Sequence, residues 1–285
     1  MNNEINFNYK LMNKSIFRNF NKLLCKSKNT FIHHSQHYFT TSNNTNKNTN
    51  YTNNNKNNIA NISNITNISE QYWQQQPLTY DSMAGVSEIN QLDIIHTIKT
   101  LNSIPNISKM ESVLELGAGI GRITFQALYK FFTIIDIVER NPNFIAEVKL
   151  TELKQNPKKI RKFICSSLEQ FDIDLNTNSA SNNINTNIKY DLIFIQWVLE
   201  YLTDDDLLSL LSKLKTVLNK EGEIVIKENV NNNTIFINDE GSTIRTINKY
   251  NNIFVNSGYK VVYSEKVDYN REDLYDIYCW RIKLL

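Results

Sequence analysis

Cysteine is nearly absent from this chain. Three in 285 residues, Cys25, Cys165 and Cys279, are too few and too far apart for a disulfide framework or a structural zinc site. Histidine is almost as scarce: of four, His33, His34 and His37 all lie before residue 40, so His96 alone is left for the rest. A single remaining histidine weighs against a Ser–His–Asp or Cys–His mechanism and against a histidine metal cluster. His96 falls in Leu92-Asp93-Ile94-Ile95-His96-Thr97-Ile98, an amphipathic helix pattern, and is read as a surface or boundary residue. No stretch approaches the ~20 uninterrupted apolar residues of a membrane-spanning helix. Charge of one sign is missing too: from Ile5 to Ser69 there is no Asp or Glu, against eight Lys and Arg. From Glu70 onward 28 acidic residues face 23 basic ones, so the formal +2 of the whole chain belongs to the beginning. The remainder has no electropositive footprint for nucleic acid.

The acid-free beginning divides into two parts. Residues 11–39 mix Lys and Arg with Ile16, Phe17, Phe20, Leu23, Leu24, Phe31 and Ile32 at helical spacing, and close on His37-Tyr38-Phe39-Thr40-Thr41-Ser42. That composition is that of a mitochondrial transit peptide, and residues 1–42 are expected to act as one. Mitochondrial localisation follows, with a cytoplasmic or nuclear location as the alternative. Residues 43–69 are almost entirely Asn, Thr, Ser, Ile and Lys, unable to bury enough apolar surface to offset their conformational entropy. They are expected to be a disordered linker, and Asn176–Asn187 a surface loop of the same composition.

Glycine is also rare, seven in the chain, which gives weight to Gly117-Ala118-Gly119-Ile120-Gly121. An apolar run, Val113 to Leu116, leads into these glycines, and a helix pattern follows. Backbone without side chains lets a ligand approach the main chain, where free N–H groups at the helix start can face it. The fingerprint of a dinucleotide turn is G-x-G-x-x-G or A, but Arg122 stands at its third position. Glu115-x-Gly117-x-Gly119-x-Gly121 instead resembles the first motif of class I methyltransferases, which bind S-adenosylmethionine (SAM). About 20 residues beyond the glycines, the buried-strand pattern Thr133–Glu139 ends in a carboxylate placed to accept ribose hydroxyls.

Strand and helix alternate through the rest. Strands are expected at Ser112–Leu116, Thr133–Glu139, Lys162–Cys165, Tyr190–Ile195, Glu223–Lys227, Tyr259–Glu265 and Leu274–Ile282. Helices are expected at Gly121–Phe131, Pro142–Lys154, Asp204–Leu218 and Thr243–Asn256. Apolar strands separated by crossover helices require a mostly parallel sheet covered on both faces. The reading is an α/β Rossmann-like domain over residues 70–285, with seven strands and an antiparallel C-terminal hairpin at one edge. Ligands gather at the carboxyl ends of such strands. Ser167-Leu168-Glu169, Ile195-Gln196-Trp197-Val198 and Ile226-Lys227-Glu228-Asn229 all fall there, the last offering an amide and a carboxylate to the crevice.

The region from Glu70 to Leu285 resembles the protein α-N-terminal methyltransferases. The match rests on Tyr72-Trp73 with Pro77 and Asp81-Ser82-Met83, on Leu116 to Thr124, and on Ile195-Gln196-Trp197-Val198 with Leu202-Thr203-Asp204. Ile224 to Asn229 and Tyr275 to Tyr278 complete it. The resemblance implies SAM as cofactor and protein N-terminal peptides, X-Pro-Lys or X-Pro-Arg, as substrate, in an enzyme read as a monomer. It implies that Gly117, Gly119, Arg122 and Gln196 hold the methionine end of SAM, Glu139 the ribose, and Leu168 and Glu169 the adenine. Trp73 and Trp197 would be aromatic walls for the peptide, Asn229 the amide that orients the entering amino terminus, and Tyr275 a closure from the hairpin.

Three places depart from the family: Gly85-Val86 stands for its usual double glycine, and two further positions are changed. Tyr201 stands where a histidine is expected, and Gly241, before Ser242-Thr243, where an aspartate is expected. These are the family's proton acceptors, and Asp239 or Glu240, just upstream, would have to substitute. The departures leave open an assembly or binding factor that kept the fold without turnover, and a SAM enzyme acting on a small molecule.

Overall fold

The order of strands in the sheet fixes where a ligand can sit. The computed structural model describes residues 67–85, 87–172 and 188–285. The expected leader, the linker up to residue 66 and the loop Asn176–Asn187 lie outside these. The main sheet comprises β1 Ser112–Leu116, β2 Ile134–Glu139, β3 Ile160–Cys165, β4 Tyr190–Gln196, β5 Leu218–Val230, β8 Tyr259–Val267 and β9 Asp276–Leu284. A two-stranded ribbon adds β6 Ile235–Ile237 and β7 Ser242–Ile244. The main sheet has the order β3-β2-β1-β4-β5-β9-β8, with β3 to β5 parallel and β9 antiparallel to both β5 and β8. The chain winds outward from β1 to β3, then returns to start again at β4 beside β1. That reversal opens a crevice above the carboxyl ends of β1 and β4, where ligands bind in doubly wound sheets.

Apolar side chains fill both faces. All five residues of β1 are buried. Val113 packs on one face with Ile135, Ile137, Leu192 and Phe194, while Leu114 and Leu116 pack on the other with Ile193, Ile195, Ile224 and Ile226. Helices α3 (Ser87–Asn102), α4 (Arg122–Gln126) and α5 (Pro142–Glu152) cover the first face. Helices α6 (Asp204–Leu214) and α7 (Ile247–Asn256) cover the second through Leu207, Leu210, Leu211, Leu214, Tyr250, Ile253 and Phe254. Residues 67–74 form α1, followed by α2 (Tyr80–Ala84).

The expected elements are all present, with shifted ends. Helix α4 stops at Gln126 because Ala127 leaves the α region (φ −122°, ψ −64°), and a separate 3-10 turn, Leu128–Lys130, drops Leu128 into the core. The helix expected from Thr243 begins at Ile247, where the Thr246 side chain caps it by accepting from Lys249 N. Residues 242–244 pair instead with β6. Helix α6 ends at Leu214, and β5 starts at Leu218 and runs through Asn229 rather than stopping before it. Helix α1 includes residues 67–69, the last three of the expected linker, because Ser69 is buried and its hydroxyl accepts from Arg140 Nη2 at 3.2 Å.

Candidate active site

The glycine turn leaves β1 directly beside the end of β4. Gly117 has φ +73°, and a Cβ built on it would stand 2.7 Å from Cβ of Val198, so no other residue fits without displacing the β4 turn. The turn is tied down at Gly119, whose N–H donates to Glu139 Oε2 at 2.9 Å, while Glu139 Oε1 accepts from Asn141 N at 2.8 Å. Both oxygens keep a second lone pair for ligand hydroxyls. Burial raises the Glu139 pKa, and the two N–H donors partly offset that.

Arg122, Gln196, Lys227 and Tyr269 meet around one residue not expected in the site, Asp93 of α3. Its Oδ2 accepts from Arg122 Nη1 at 2.7 Å and from Gln196 Nε2 at 2.9 Å. Its Oδ1 accepts from Lys227 Nζ and Tyr269 Oη, both at 2.7 Å. Asp93 and Lys227 are fully buried. Burial pushes the Asp93 pKa up, but the Lys227 and Arg122 charges outweigh it and hold the carboxyl well below its usual range. Two cations against one carboxylate leave this dry cluster one positive charge in excess, which favours an anionic ligand group. The Arg122 guanidinium also lies 5.2 Å from the ring centroid of Trp197. Trp197 is held with φ +52°, a conformation that costs a bulky residue about 1–3 kcal/mol and is kept where surroundings impose it. Gln196 Oε1 and Trp197 Nε1 are buried with no hydrogen-bond partner among the described residues.

These groups line one crevice of about 950 Å³, its open mouth included, on the scale of a small-molecule site. Gly117, Gly119, Arg122, Glu139, Leu168, Glu169, Gln196, Trp197, Trp73 and Tyr201 all contribute. Glu115 also lines it; burial raises this carboxyl to about 8, so it is protonated near neutrality and its Thr124 contact is neutral hydrogen bonding. Trp73, on α1, closes the mouth edge-to-face against Tyr201 (6.0 Å between centroids) and Phe144 (6.5 Å).

The residues expected to handle the substrate divide at Tyr201. Asn229 is buried within β5 and donates from Nδ2 to Glu200 Oε2 at 3.2 Å. Glu240 is half-buried in the β6–β7 turn, accepts from Ser242 Oγ at 3.3 Å, and with Glu200 bears electrostatically on Tyr201 and Tyr275. Tyr275 does not line the crevice as expected; it lines a separate depression formed by residues 266–277, and only the charges of Glu240 and Glu200 reach it. Asp239 is exposed. Gly241 makes the turn, with φ +66° and its N–H donated to Ile237 O at 2.9 Å. The Glu228 carboxylate does not face the crevice as expected: its Oε1 accepts from Val198 N and Leu199 N, both at 2.9 Å, because the tight turn after β4 leaves those donors bare. His96, read as a boundary residue, is half-buried with Nε2 3.0 Å from Glu265 Oε1, and burial lowers it to about 4.

The Arg122 guanidinium beside a glycine turn, an acidic strand end for ribose and two unpartnered polar atoms fit SAM, whose methionine part presents a carboxylate next to its ammonium and sulfonium. The comparisons agree. The AdoMet dependent proline di-methyltransferase family matches residues 61–283 of the chain. N-terminal Xaa-Pro-Lys N-methyltransferase 1 of Homo sapiens is 29% identical over 221 residues, covering 75% of this chain and 93% of the relative. The protein of that name from Danio rerio is 28% identical with the same coverage. A SAM-dependent methyltransferase of Leishmania major superposes with a TM-score of 0.67 and 26% identity, over 77% of this chain and 83% of that one. A glycopeptide N-methyltransferase complexed with SAM shares the fold at a TM-score of 0.52 and 12% identity, over 69% and 94% of the two chains. Among the described residues, no helix is long and apolar enough to cross a membrane.

Proposed function

We propose that this chain, which belongs to the AdoMet dependent proline di-methyltransferase family, methylates the α-amino group of protein N-termini of the Xaa-Pro-Lys or Xaa-Pro-Arg kind. That it is a SAM-dependent methyltransferase is the premise; the acceptor is the proposal. Arg122 and Gln196, both seated on Asp93, would hold the methionine end, Glu139 the ribose, and Leu168 and Glu169 the adenine. SAM supplies an electrophilic methyl group.

The observation that carries the acceptor reading is the sign of charge beyond Tyr201. Glu200 and Glu240 bear on one place, and Arg245, the cation that bears on Glu200, is already committed: its Nε donates to Asp204 Oδ1 at 2.8 Å and its Nη atoms to Leu199 O and Leu202 O at 3.0 and 2.5 Å. Burial raises both acids, so either ionises most readily when an ammonium enters beside it, and neither would favour an entering carboxylate or phosphate. Trp73 and Tyr201 give the same place aromatic walls suited to the ring of a second-position proline. An α-amine has a reference pKa of about 7.7–8.0, so it needs to lose only one weakly held proton before attack. Methyl transfer to an Xaa-Pro-Lys peptide, compared with the same peptide acetylated at its amino terminus, tests the reading. Equal transfer to both would place the methyl on a side chain and end the proposal.

The mitochondrial address rests on the acid-free leader alone. A fluorescent reporter carrying residues 1–50 should enter mitochondria, and a diffuse signal would contradict it.

A further inference from the structure

We propose that Glu200 is the proton acceptor for the entering amine. This rests on the N-terminal methyltransferase reading and assigns a role that Tyr201, Gly241 and Asp239 cannot fill. Gly241 has no side chain, and Asp239 is exposed. Burial, then the Glu200 and Glu240 charges, push the Tyr201 hydroxyl well above its usual range, so it stays neutral and cannot take a proton near pH 8.

Three carboxylates remain, and their surroundings separate them. Glu228 spends one oxygen on two backbone N–H groups, and the other is sealed from solvent without a partner, which suits a residue that holds the β4 turn. Glu240 is half-exposed and bound only to Ser242. Glu200 lies in the 3-10 turn Leu199–Tyr201, between the crevice-lining Val198 and Tyr201, and is buried. Its Oε2 is fixed by the Asn229 amide at 3.2 Å, and its Oε1 accepts nothing among the described residues. One oxygen is thus oriented and the other left without a partner among the described residues, just behind the crevice wall formed by Val198 and Tyr201, so a small side-chain shift at Tyr201 brings it to an entering amine.

The groups facing Glu200 set its proton affinity. Burial raises it well above the usual carboxylate range, Glu228 and Glu240 add to that, and the Asn229 amide and Arg245 oppose it. Tyr201, Tyr250 and Tyr275, which also feel its charge, are themselves raised and remain neutral. A carboxylate whose proton affinity is raised by burial matches an α-amine better than an exposed one does. In the step, one ammonium N–H bond breaks and the proton goes to the Glu200 carboxylate. The freed nitrogen lone pair forms the bond to the methyl carbon, and the C–S bond breaks with its electron pair left on sulfur. Glu200 then returns the proton to solvent.

The test uses the full chain, SAM and an Xaa-Pro-Lys peptide between about pH 6.5 and 9, bracketing the α-amine value. Glu200→Gln, of the same shape, should lower kcat near pH 7 by about 10²–10⁴-fold. SAM affinity should not change, and the residual rate should climb with pH as the free amine deprotonates. Glu200→Asp, with its carboxylate on a shorter arm, should keep more activity than Glu200→Gln. Without turnover, a peptide bearing a fixed-charge trimethylammonium terminus, titrated with S-adenosylhomocysteine present, should bind the parent more tightly as pH rises and Glu200 ionises. Glu200→Gln should flatten that dependence. Parent-like kcat and pH profile in Glu200→Gln, equal losses in the Gln and Asp variants, or transfer of the whole loss to Glu240→Gln would each overturn the assignment while the function stands. A parent that binds SAM and methylates no amino terminus would overturn both.

Discussion

Asp93 is the residue on which the ligand-facing polar groups converge, and its worth can be measured. Four donors meet its two oxygens, all buried or nearly so. Asp93→Asn keeps the shape but leaves Arg122 and Lys227 as uncompensated buried cations, so it should destabilise the protein by about 3–5 kcal/mol in urea unfolding. Unchanged stability would mean the cluster is wet. Glu139 makes a separable contribution, since it meets the glycine turn rather than the cluster. Glu139→Ala should weaken SAM binding in calorimetry by about 1–3 kcal/mol, through loss of a charged acceptor for two hydroxyls and of the Gly119 tether. Affinity equal to the parent in a folded variant would put the ribose elsewhere. Of these two residues, Glu139 could be read from its spacing to the glycines. Asp93 could not be assigned a partner, although it left a signal: it shares one helix face with Ile89, Thr97 and Leu101, all buried, and an acid on such a face demands a cation.

At the scale of elements, α1 matters most for the substrate. Trp73 has no covalent neighbour in the crevice and is held there by edge-to-face contacts with Tyr72, Phe144 and Tyr201, each worth about 0.5–1.5 kcal/mol. Trp73→Ala should therefore raise the Kd for an Xaa-Pro-Lys peptide by roughly tenfold or more, with a smaller effect on SAM, as measured by titration. An unchanged peptide Kd would remove α1 from the substrate site. The sheet was legible because its central strands β1, β2 and β4 are nearly continuous apolar runs and its edge strand β8 alternates, and every expected strand appears in it. The β6–β7 ribbon was not legible, because three-residue strands carry no resolvable period and Ser242-Thr243-Ile244 reads equally well as a helix start. That misreading matters for the site, since the ribbon's turn, not a helix, presents Glu240 and gives Gly241 its left-handed conformation. Glu200 was missed for the same reason, as a single acid in a 3-10 turn has no periodic neighbour to mark it.

For the whole molecule, buried acids set the pH dependence of stability. Burial raises Glu115 to about 8 and Glu228 to about 7, against about 4.3 unfolded. Between those values the folded state binds more protons than the unfolded one, so stability falls as pH rises. The Asp191 and Asp204 carboxyls, lowered in the fold despite partial burial, act oppositely and withdraw stability as pH falls through their unfolded value of about 3.9. The melting temperature of the ligand-free protein should thus peak near pH 5 and decline toward pH 8, and Glu115→Gln should lessen the decline; a melting temperature rising steadily from pH 5 to 8 would contradict the buried-acid account. We hold that a SAM crevice anchored by Arg122 and Glu139 adjoins, at Tyr201, an amine site served by Glu200. The most direct test is to incubate the protein with SAM and an Xaa-Pro-Lys peptide and to locate the added mass by fragmentation. The claim requires every added methyl on the nitrogen of the first residue. Methyl groups on the lysine side chain, or none on a peptide given to SAM-bound protein, would contradict it.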